Sequence, residues 1–353
     1  MDFASRLLWW YDRNGRSLPW RGDSDPYRIW VSEVILQQTR VEQGVGYFSR
    51  FIEAFPDLHS LALAPLGEVL RLWQGLGYYT RARNLHRAAR QIISEHNGQL
   101  PSDSQALSGL SGIGPYTSAA IGSIAFGERV PVIDGNVYRV LSRLFAIELP
   151  IDTAGGKRAF YDLALSLMPE SRPGDYNQAL MDFGSLVCKP FGPVCHECLF
   201  NSQCLALQRN AVMRFPARKP KKKTRPRYFN YFLVHATTAG GLPGFFVGQR
   251  SGNDIWRGLY ELPLFETGHE MHEAEVFARA CRAVLPGHDH ESVSGEMVRS
   301  LKHQLSHQTI HARLFRLSHG PGQLEMFGKK YILTDVRGFE AMAKPRLIER
   351  LLE

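Results

Sequence analysis

Residues Leu110–Thr117 read LSGIGPYT. Gly112 and Gly114 lack a Cβ, so the backbone there can turn tightly and come close to a ligand. Pro115 suits the first turn of a new helix, where its missing N–H costs nothing. Ser104–Leu107 reads as the end of one short helix and Tyr116–Phe126 as the next. The second is lined with Ser118, Ala119, Ala120, Gly122, Ser123 and Ala125, which permit close packing. Amides at such a helix start can hold a phosphate without help from any side chain.

The pattern predicts a helix–hairpin–helix, a clamp on the DNA backbone that is indifferent to sequence; a plain helix connection is the competing reading. On its N-terminal side, helices are predicted over Phe3–Tyr11, Tyr27–Arg40, Val45–Phe55, Gly67–Gln74 and Arg81–Glu95. Leu7, Leu8 and Trp10 are core candidates in the first, and Trp30, Val34 and Val41 recur on one face of the second. Glu33 lies beside that apolar set. It reads either as a rim carboxylate or as an acid whose pKa is raised by desolvation. Gly75–Tyr79, GLGYY, is a glycine-interrupted turn with aromatic residues. The helix after it carries Arg81, Arg83, Arg87 and Arg90, either a solvated face or one that meets phosphates. On the C-terminal side, Asp134 reads as the N-cap of a helix Val137–Phe145 or as an ionised carboxylate opposite a developing positive charge. The helix terminus is expected to keep it ionised. Helices over Ala159–Met168 and Tyr176–Leu186 complete an all-α region with neither strand alternation nor a dinucleotide-binding glycine fingerprint.

Cys188, Cys195, Cys198 and Cys204 follow in CKPFGPVCHECLFNSQC. Four soft thiolates admit zinc or an iron–sulfur cluster, and uncoordinated thiols are the third reading. Only Cys195 and Cys198 form a close pair, and this asymmetry favours a four-iron cluster. With five cysteines in 353 residues a disulfide framework is disfavoured, and Cys281 reads as a buried thiol on a helix.

The length allows two domains, and 44% hydrophobic with 22% charged residues describes a soluble globular chain. The N-terminus, MDFASRLLWWYDRNGRSLPWR, carries charge throughout and resembles neither a signal peptide nor a membrane span. A net charge of +8 favours a polyanionic partner. Arg214–Arg227, RFPARKPKKKTRPR, reads as a basic linker that either follows DNA or only tethers. Beyond it, Tyr231–Val234, Gly244–Gly248, Ala312–Leu317 and Lys330–Leu333 read as strands and Glu270–Ala283 as a helix.

Taken together, the chain resembles the adenine DNA glycosylases of the endonuclease III-like helix–hairpin–helix superfamily. The resemblance is carried by SEVILQQT at 32–39, GLGYY at 75–79, LSGIG at 110–114, VIDGNV at 132–137 and the four cysteine positions. It implies a multidomain protein: an all-α helix–hairpin–helix glycosylase domain over 1–210 with an iron–sulfur loop at 188–204, a linker at 211–227, and an α/β Nudix-like domain over 228–353 that recognises 8-oxoguanine. The implied cofactor is a [4Fe–4S] cluster on Cys188, Cys195, Cys198 and Cys204.

By the same resemblance Glu33 protonates adenine, chiefly at N7. Asp134 stabilises an oxocarbenium-like sugar, with a transient covalent bond to it, and Tyr116 positions both carboxylates. Trp20 and Arg21 line the adenine pocket. Gln38, Leu76 and Tyr78 probe or wedge the duplex, Gly112 and Gly114 approach its backbone, and Lys189 faces phosphates. Leu305, Ser306 and His307 stand where the family has Phe-Ser-His against 8-oxoguanine. Tyr116 replaces the Schiff-base lysine of bifunctional relatives, and Tyr138 replaces a lysine that traps product in some adenine glycosylases. The first disfavours amine-driven strand cleavage, and the second disfavours the slow trapping of product. Glu261, Glu266 and Glu270 do not form a Nudix hydrolase signature. The implied function is monofunctional excision of adenine opposite 8-oxoguanine or guanine in double-stranded DNA. The alternatives are a bifunctional pyrimidine glycosylase and a non-enzymatic lesion binder. A monomer in the bacterial cytoplasm, on the nucleoid and without membrane contact, is expected, with a replication clamp or repair protein as a candidate partner.

Overall fold

The computed structural model describes residues 2–219, 224–238, 240–284, 295–305, 307–318 and 324–353. Ser306 and linker residues 220–223 therefore lie outside the described residues. The chain divides into two compact units, one of residues 1–64 and 83–221, the other of residues 65–82 and 222–353.

The first unit is helical: α1 (Phe3–Asn14), α2 (Pro26–Leu36), α3 (Val41–Ala54), α4 (Leu58–Leu63), then, after α5 (Leu66–Leu72) of the second unit, α6 (Thr80–Glu95), which begins in that unit. It continues with α7 (Ser104–Ser108), α8 (Pro115–Phe126), α9 (Gly135–Phe145), α10 (Ala154–Leu167), α11 (Pro173–Leu186) and α12 (Leu205–Gln208). Local chemistry sets the boundaries. Asp2, Asp25, Asp57, Asp103, Asp134 and Thr153 each cap a helix start through a side-chain oxygen. The helix expected to run to Arg40 stops at Leu36, because the backbone turns left-handed at Gln38, with φ 59°. Of the α1 core candidates, Leu7 is fully buried while Leu8 and Trp10 are partly covered, Trp10 lying edge-on to Phe183.

Around α8 the core closes tightly. A Cβ on Gly174 of α11 would lie 2.8 Å from both Ile124 Cα and Ser123 O, so glycine is what lets the two backbones approach. Leu141, Phe160, Tyr176, Leu180, Phe183 and Phe200 fill the adjoining core. Each such side chain contributes roughly 1.5–3 kcal/mol on burial.

The second unit is mixed α/β. Its strands are β1 (Arg225–Thr237), β2 (Pro243–Gln249), β3 (Tyr260–Glu261), β4 (Leu264–Thr267), β5 (Gly295–Gln304), β6 (Gln308–Ser318), β7 (Leu324–Met326) and β8 (Lys329–Thr334). Its further helices are α13 (Glu273–Val284), α14 (Val336–Glu340) and α15 (Arg346–Leu352). The sheet order is β5-β6-β1-β2-β8-β7, with β3 on β2 and β4 on β1. β1 runs parallel to β6, from Arg225 opposite Gln308 to His235 opposite Ser318. Phe229–Val234 are all buried because both faces of β1 are covered. Phe229, Tyr231 and Leu233 pack with Leu347, Ile348 and Leu351 of α15. Phe232 and Val234 pack with Val276 and Ala280 of α13. Arg225–Arg227, expected as linker, already belong to β1.

Candidate active site

The best-supported cluster lies in the first unit, where α2, α8, α9 and α11 contribute side chains. Glu33 is only 6% exposed. The Tyr116 hydroxyl, at the start of α8, donates to Glu33 Oε2 at 2.8 Å and lies 3.4 Å from Met181 Sδ. Burial raises the Glu33 pKa; the Tyr116 bond and the charge of Arg21 oppose the rise, and Asp134 adds to it. Burial also pushes the Tyr116 hydroxyl well above its usual range, so it remains a donor.

Asp134 caps α9. Its Oδ1 accepts from the Asn136 and Val137 amides, each at 2.8 Å, and its Oδ2 from Asn136 Nδ2 at 2.6 Å. The surrounding protein nevertheless raises its pKa by desolvation, against these donors. The helix terminus expected to keep Asp134 ionised is therefore opposed by burial.

Arg21 is fixed by one residue nearby in sequence and two far from it. It donates to the Tyr11 hydroxyl at 2.7 Å, to Gln178 Oε1, and to Asp182 Oδ1 at 3.2 Å. Asp182 is fully buried and also accepts from the Arg16 amide and guanidinium. A buried carboxylate held by two guanidinium groups is costly to break, about 3–5 kcal/mol when one partner is removed. Its signal in the sequence is a lone acid in the apolar run ALMDFGSL. Trp20 turns inward, edge-on to Phe48 at 5.0 Å. Gln38 is exposed just beyond α2.

The hairpin is built as expected at Pro115, with Gly114 as the N-cap of α8. Gly112 has φ +77°, and a Cβ there would lie 2.5 Å from Asn84 Cβ. A Cβ at Gly114 would meet nothing within 4 Å. The Ser111 amide donates to Gln91 of α6, and a cleft of about 570 Å³ beside it is lined by Leu63 and the exposed Arg87 and Arg90.

The cysteine loop corrects the expected architecture and cofactor. Among the described residues no group of three or more His, Cys, Asp or Glu is arranged to hold a metal ion. Cys188, Cys195, Cys198 and Cys204 are free thiols that line one small cavity together with Arg143 and Phe183. Burial raises the Cys195 and Cys204 thiols and pushes Cys198 up to about 11. Arg143 occupies the neighbourhood as a structural group, donating to the Lys189 carbonyl at 2.7 Å and approaching Cys188 Sγ at 3.5 Å. The all-α domain thus shows, among the described residues, no group that holds the [4Fe–4S] cluster inferred from the cysteine spacing.

In the second unit Leu76 is 8% exposed and Tyr78 is 48% exposed, with φ 48° at Tyr78. Leu305 and His307 lie at the β5–β6 connection. The Leu305 amide donates to the Gln308 carbonyl at 2.9 Å, and the His307 side chain is exposed. Glu261 and Glu266 are engaged structurally, the first with Arg250 and Tyr231, the second with Arg227.

Comparison with known proteins places this geometry. Residues 31–154 match the HhH-GPD superfamily of base excision DNA repair proteins. The chain is 35% identical to the adenine DNA glycosylase of Rattus norvegicus, over 77% of this chain and 62% of that one. It is 30% identical to the adenine DNA glycosylase of Buchnera aphidicola subsp. Acyrthosiphon pisum, over 99% of this chain and 97% of that one. The chain belongs to the adenine DNA glycosylase family. It spans about three fifths of the rat relative but nearly all of the Buchnera one. A thermostable thymine-DNA glycosylase aligns with 59% of this chain and 95% of its own, at TM-score 0.55 and 29% identity. Within the glycosylase family a buried carboxyl group beside a capped aspartate is a chemically sensible pair. An acid with raised pKa can release a proton, and a carboxylate at a helix start can face positive charge.

Proposed function

We propose that this protein is a monofunctional adenine DNA glycosylase acting in base excision repair on adenine opposite 8-oxoguanine, and on adenine opposite guanine. The observation that carries the reading is the buried Glu33 carboxyl bonded to Tyr116, with Asp134 close enough to raise its pKa. Adenine is a poor anionic leaving group, so its departure needs a proton. Glu33 supplies that proton, chiefly to N7, as the bond between C1′ and the base breaks. The sugar takes on positive charge, which Asp134 stabilises. Water then adds to C1′ and loses a proton, which restores the acid. Tyr116 holds the Glu33 carboxyl in place. It offers no amine, so no Schiff base forms through it.

The duplex must release the nucleotide before either carboxylate reaches it. The hairpin amides near Gly112 and Gly114 hold the backbone, Gln38, Leu76 and Tyr78 act on the stack, and Trp20 and Arg21 shape the pocket, Arg21 directly and Trp20 from behind. Leu305, Ser306 and His307 are assigned to the opposite base. The exposed His307 offers a donor or acceptor to the O8 and N7–H of 8-oxoguanine. Lys189 is assigned to phosphate contact. A monomeric, cytoplasmic, nucleoid-bound enzyme with a replication clamp or repair protein as partner fits this reading. The test is base release from duplexes that differ only at the base opposite adenine. Free adenine with strand breaks appearing only after alkali supports the reading; breaks before alkali, or no base release, overturn it.

A further inference from the structure

The loop Gly75–Tyr79 is closed from within and then held from outside. Gly75, Gly77 and Tyr78 all have positive φ, at 94°, 71° and 48°. The buried Trp73 indole donates to the Gly77 carbonyl at 3.2 Å, and Arg81 donates to the Leu76 and Gly77 carbonyls, each at 3.3 Å. The external hold comes from the far C-terminal end of the same unit. Gln74 Nε2 donates to Glu349 Oε1 of α15 at 2.5 Å, and Arg346 holds the other oxygen of that carboxylate at 3.1 Å. The buried Tyr79 hydroxyl donates to the Lys344 carbonyl at 3.1 Å. Lys344 is itself immobilised: its ammonium is spent on the Phe339, Glu340 and Met342 carbonyls at the end of α14, at 2.9, 3.2 and 3.0 Å. Tyr78, between these two anchors, is left 48% exposed.

We propose that Glu349 and the Lys344 carbonyl position the Gly75–Tyr79 loop, through Gln74 and Tyr79, in the conformation that presents Tyr78 to duplex DNA. The inference rests on the glycosylase reading above. It joins two parts of that reading physically. Arg299 of β5 donates to the Arg350 carbonyl on α15 at 2.9 Å, and β5 runs on to the connection that carries Leu305 and His307. The strand assigned to the opposite base is thus bonded to the helix that braces the probing loop. Gln74, Tyr79 and Glu349 are positioning residues and touch no reacting atom.

The test uses the full chain in a double-mutant cycle: Tyr79→Phe with Glu349→Ala, alone and with Tyr78→Ala. Two quantities are read on 8-oxoguanine:adenine duplex. One is the second-order rate constant for adenine release; the other is the fluorescence of 2-aminopurine placed beside the target, which rises when the stack opens. The paired anchor variant is expected to lose on the order of tenfold in rate, with a matching loss of fluorescence rise, because a small misplacement is costly at such a site. In the Tyr78→Ala background the anchor changes should cost nothing further. Glu349→Gln keeps an acceptor for Gln74 and should restore the rate. If Glu349→Ala lowers folded yield, Tyr79→Phe and Glu349→Gln carry the comparison. Losses that multiply across the cycle, or anchor variants that open the stack normally, overturn the proposal. A wild-type protein that opens the stack yet releases no adenine would instead overturn the function proposed above.

Discussion

Replacing Glu33 by glutamine separates chemistry from binding. Glutamine has nearly the same shape, and its carbonyl oxygen still accepts from the Tyr116 hydroxyl that now lies 2.8 Å from Glu33 Oε2. What disappears is the proton. A positioned general acid contributes roughly 10²–10⁴-fold, or about 2.7–5.5 kcal/mol of barrier. The single-turnover rate for Glu33→Gln should therefore fall by that factor, while affinity for duplex carrying a non-cleavable adenine analogue stays within about twofold. Dependence on pH gives a second readout. Burial raises the Glu33 pKa, so the wild-type rate should hold below that pKa and fall as pH rises through it; the variant should lack this limb. Stability moves with the opposite benefit. A carboxyl whose folded pKa is raised stabilises fully below its unfolded value, near 4.5, and the contribution is lost as pH climbs through the folded value. Glu33→Gln should thus melt higher than wild type at pH 8, with the gain vanishing toward pH 4. Near-wild-type turnover, or a loss confined to binding, would refute the assignment.

Asp134→Asn keeps a side-chain acceptor for the α9 amides but removes the charge, and its single-turnover rate should fall about 10²–10³-fold with a largely preserved melting temperature. Gly112→Ala should cost about 1–3 kcal/mol of stability, since φ is +77° and Asn84 blocks the Cβ, whereas Gly114→Ala should leave melting unchanged and weaken only duplex binding. Changing Arg87 and Arg90 together to glutamine should reduce the salt dependence of duplex binding by about 0.9 per lost phosphate contact, read as the slope of log K against log salt. His307→Ala should narrow the ratio of rate constants on 8-oxoguanine:adenine and guanine:adenine by a factor worth about 1–3 kcal/mol; an unchanged ratio removes His307 from lesion recognition.

The sequence was most informative where one local rule acts alone. The hairpin was legible because two glycines and a proline leave few alternatives, and α8 and α9 begin where Pro115 and Asp134 put them. Other elements were hidden by competing signals. α4 is a six-residue helix set by the reciprocal cap of Asp57 and Ser60, too short for a periodic pattern. β5 lies at a sheet edge, where GEMVRSLKHQ mixes charged and apolar residues and gives no clear alternation. The start of β1 was masked by its own arginines, which here belong to a paired strand. In the candidate site Glu33 and Asp134 carried local signals, but the bonds from Arg21 to Gln178 and Asp182 span 157 and 161 residues, a separation no motif reports. The cysteine spacing misled because it reports only closeness along the chain; among the described residues the four thiols form no group arranged to hold a metal ion.

The second unit is discontinuous, and synthesis gives that fact a time axis. The bonds that anchor the GLGYY loop join residues 265 and 275 positions apart. At about 5–20 residues per second, the ribosome delivers the loop roughly 13–55 s before its anchors. Through that interval the nascent helical region is carrying a loop whose braces do not yet exist. A stop codon inside α15 should therefore injure a segment near residue 75, and partial proteolysis of such a truncated chain should open first around Gly75–Tyr79. Damage inside α15 would then present as a defect at the GLGYY loop.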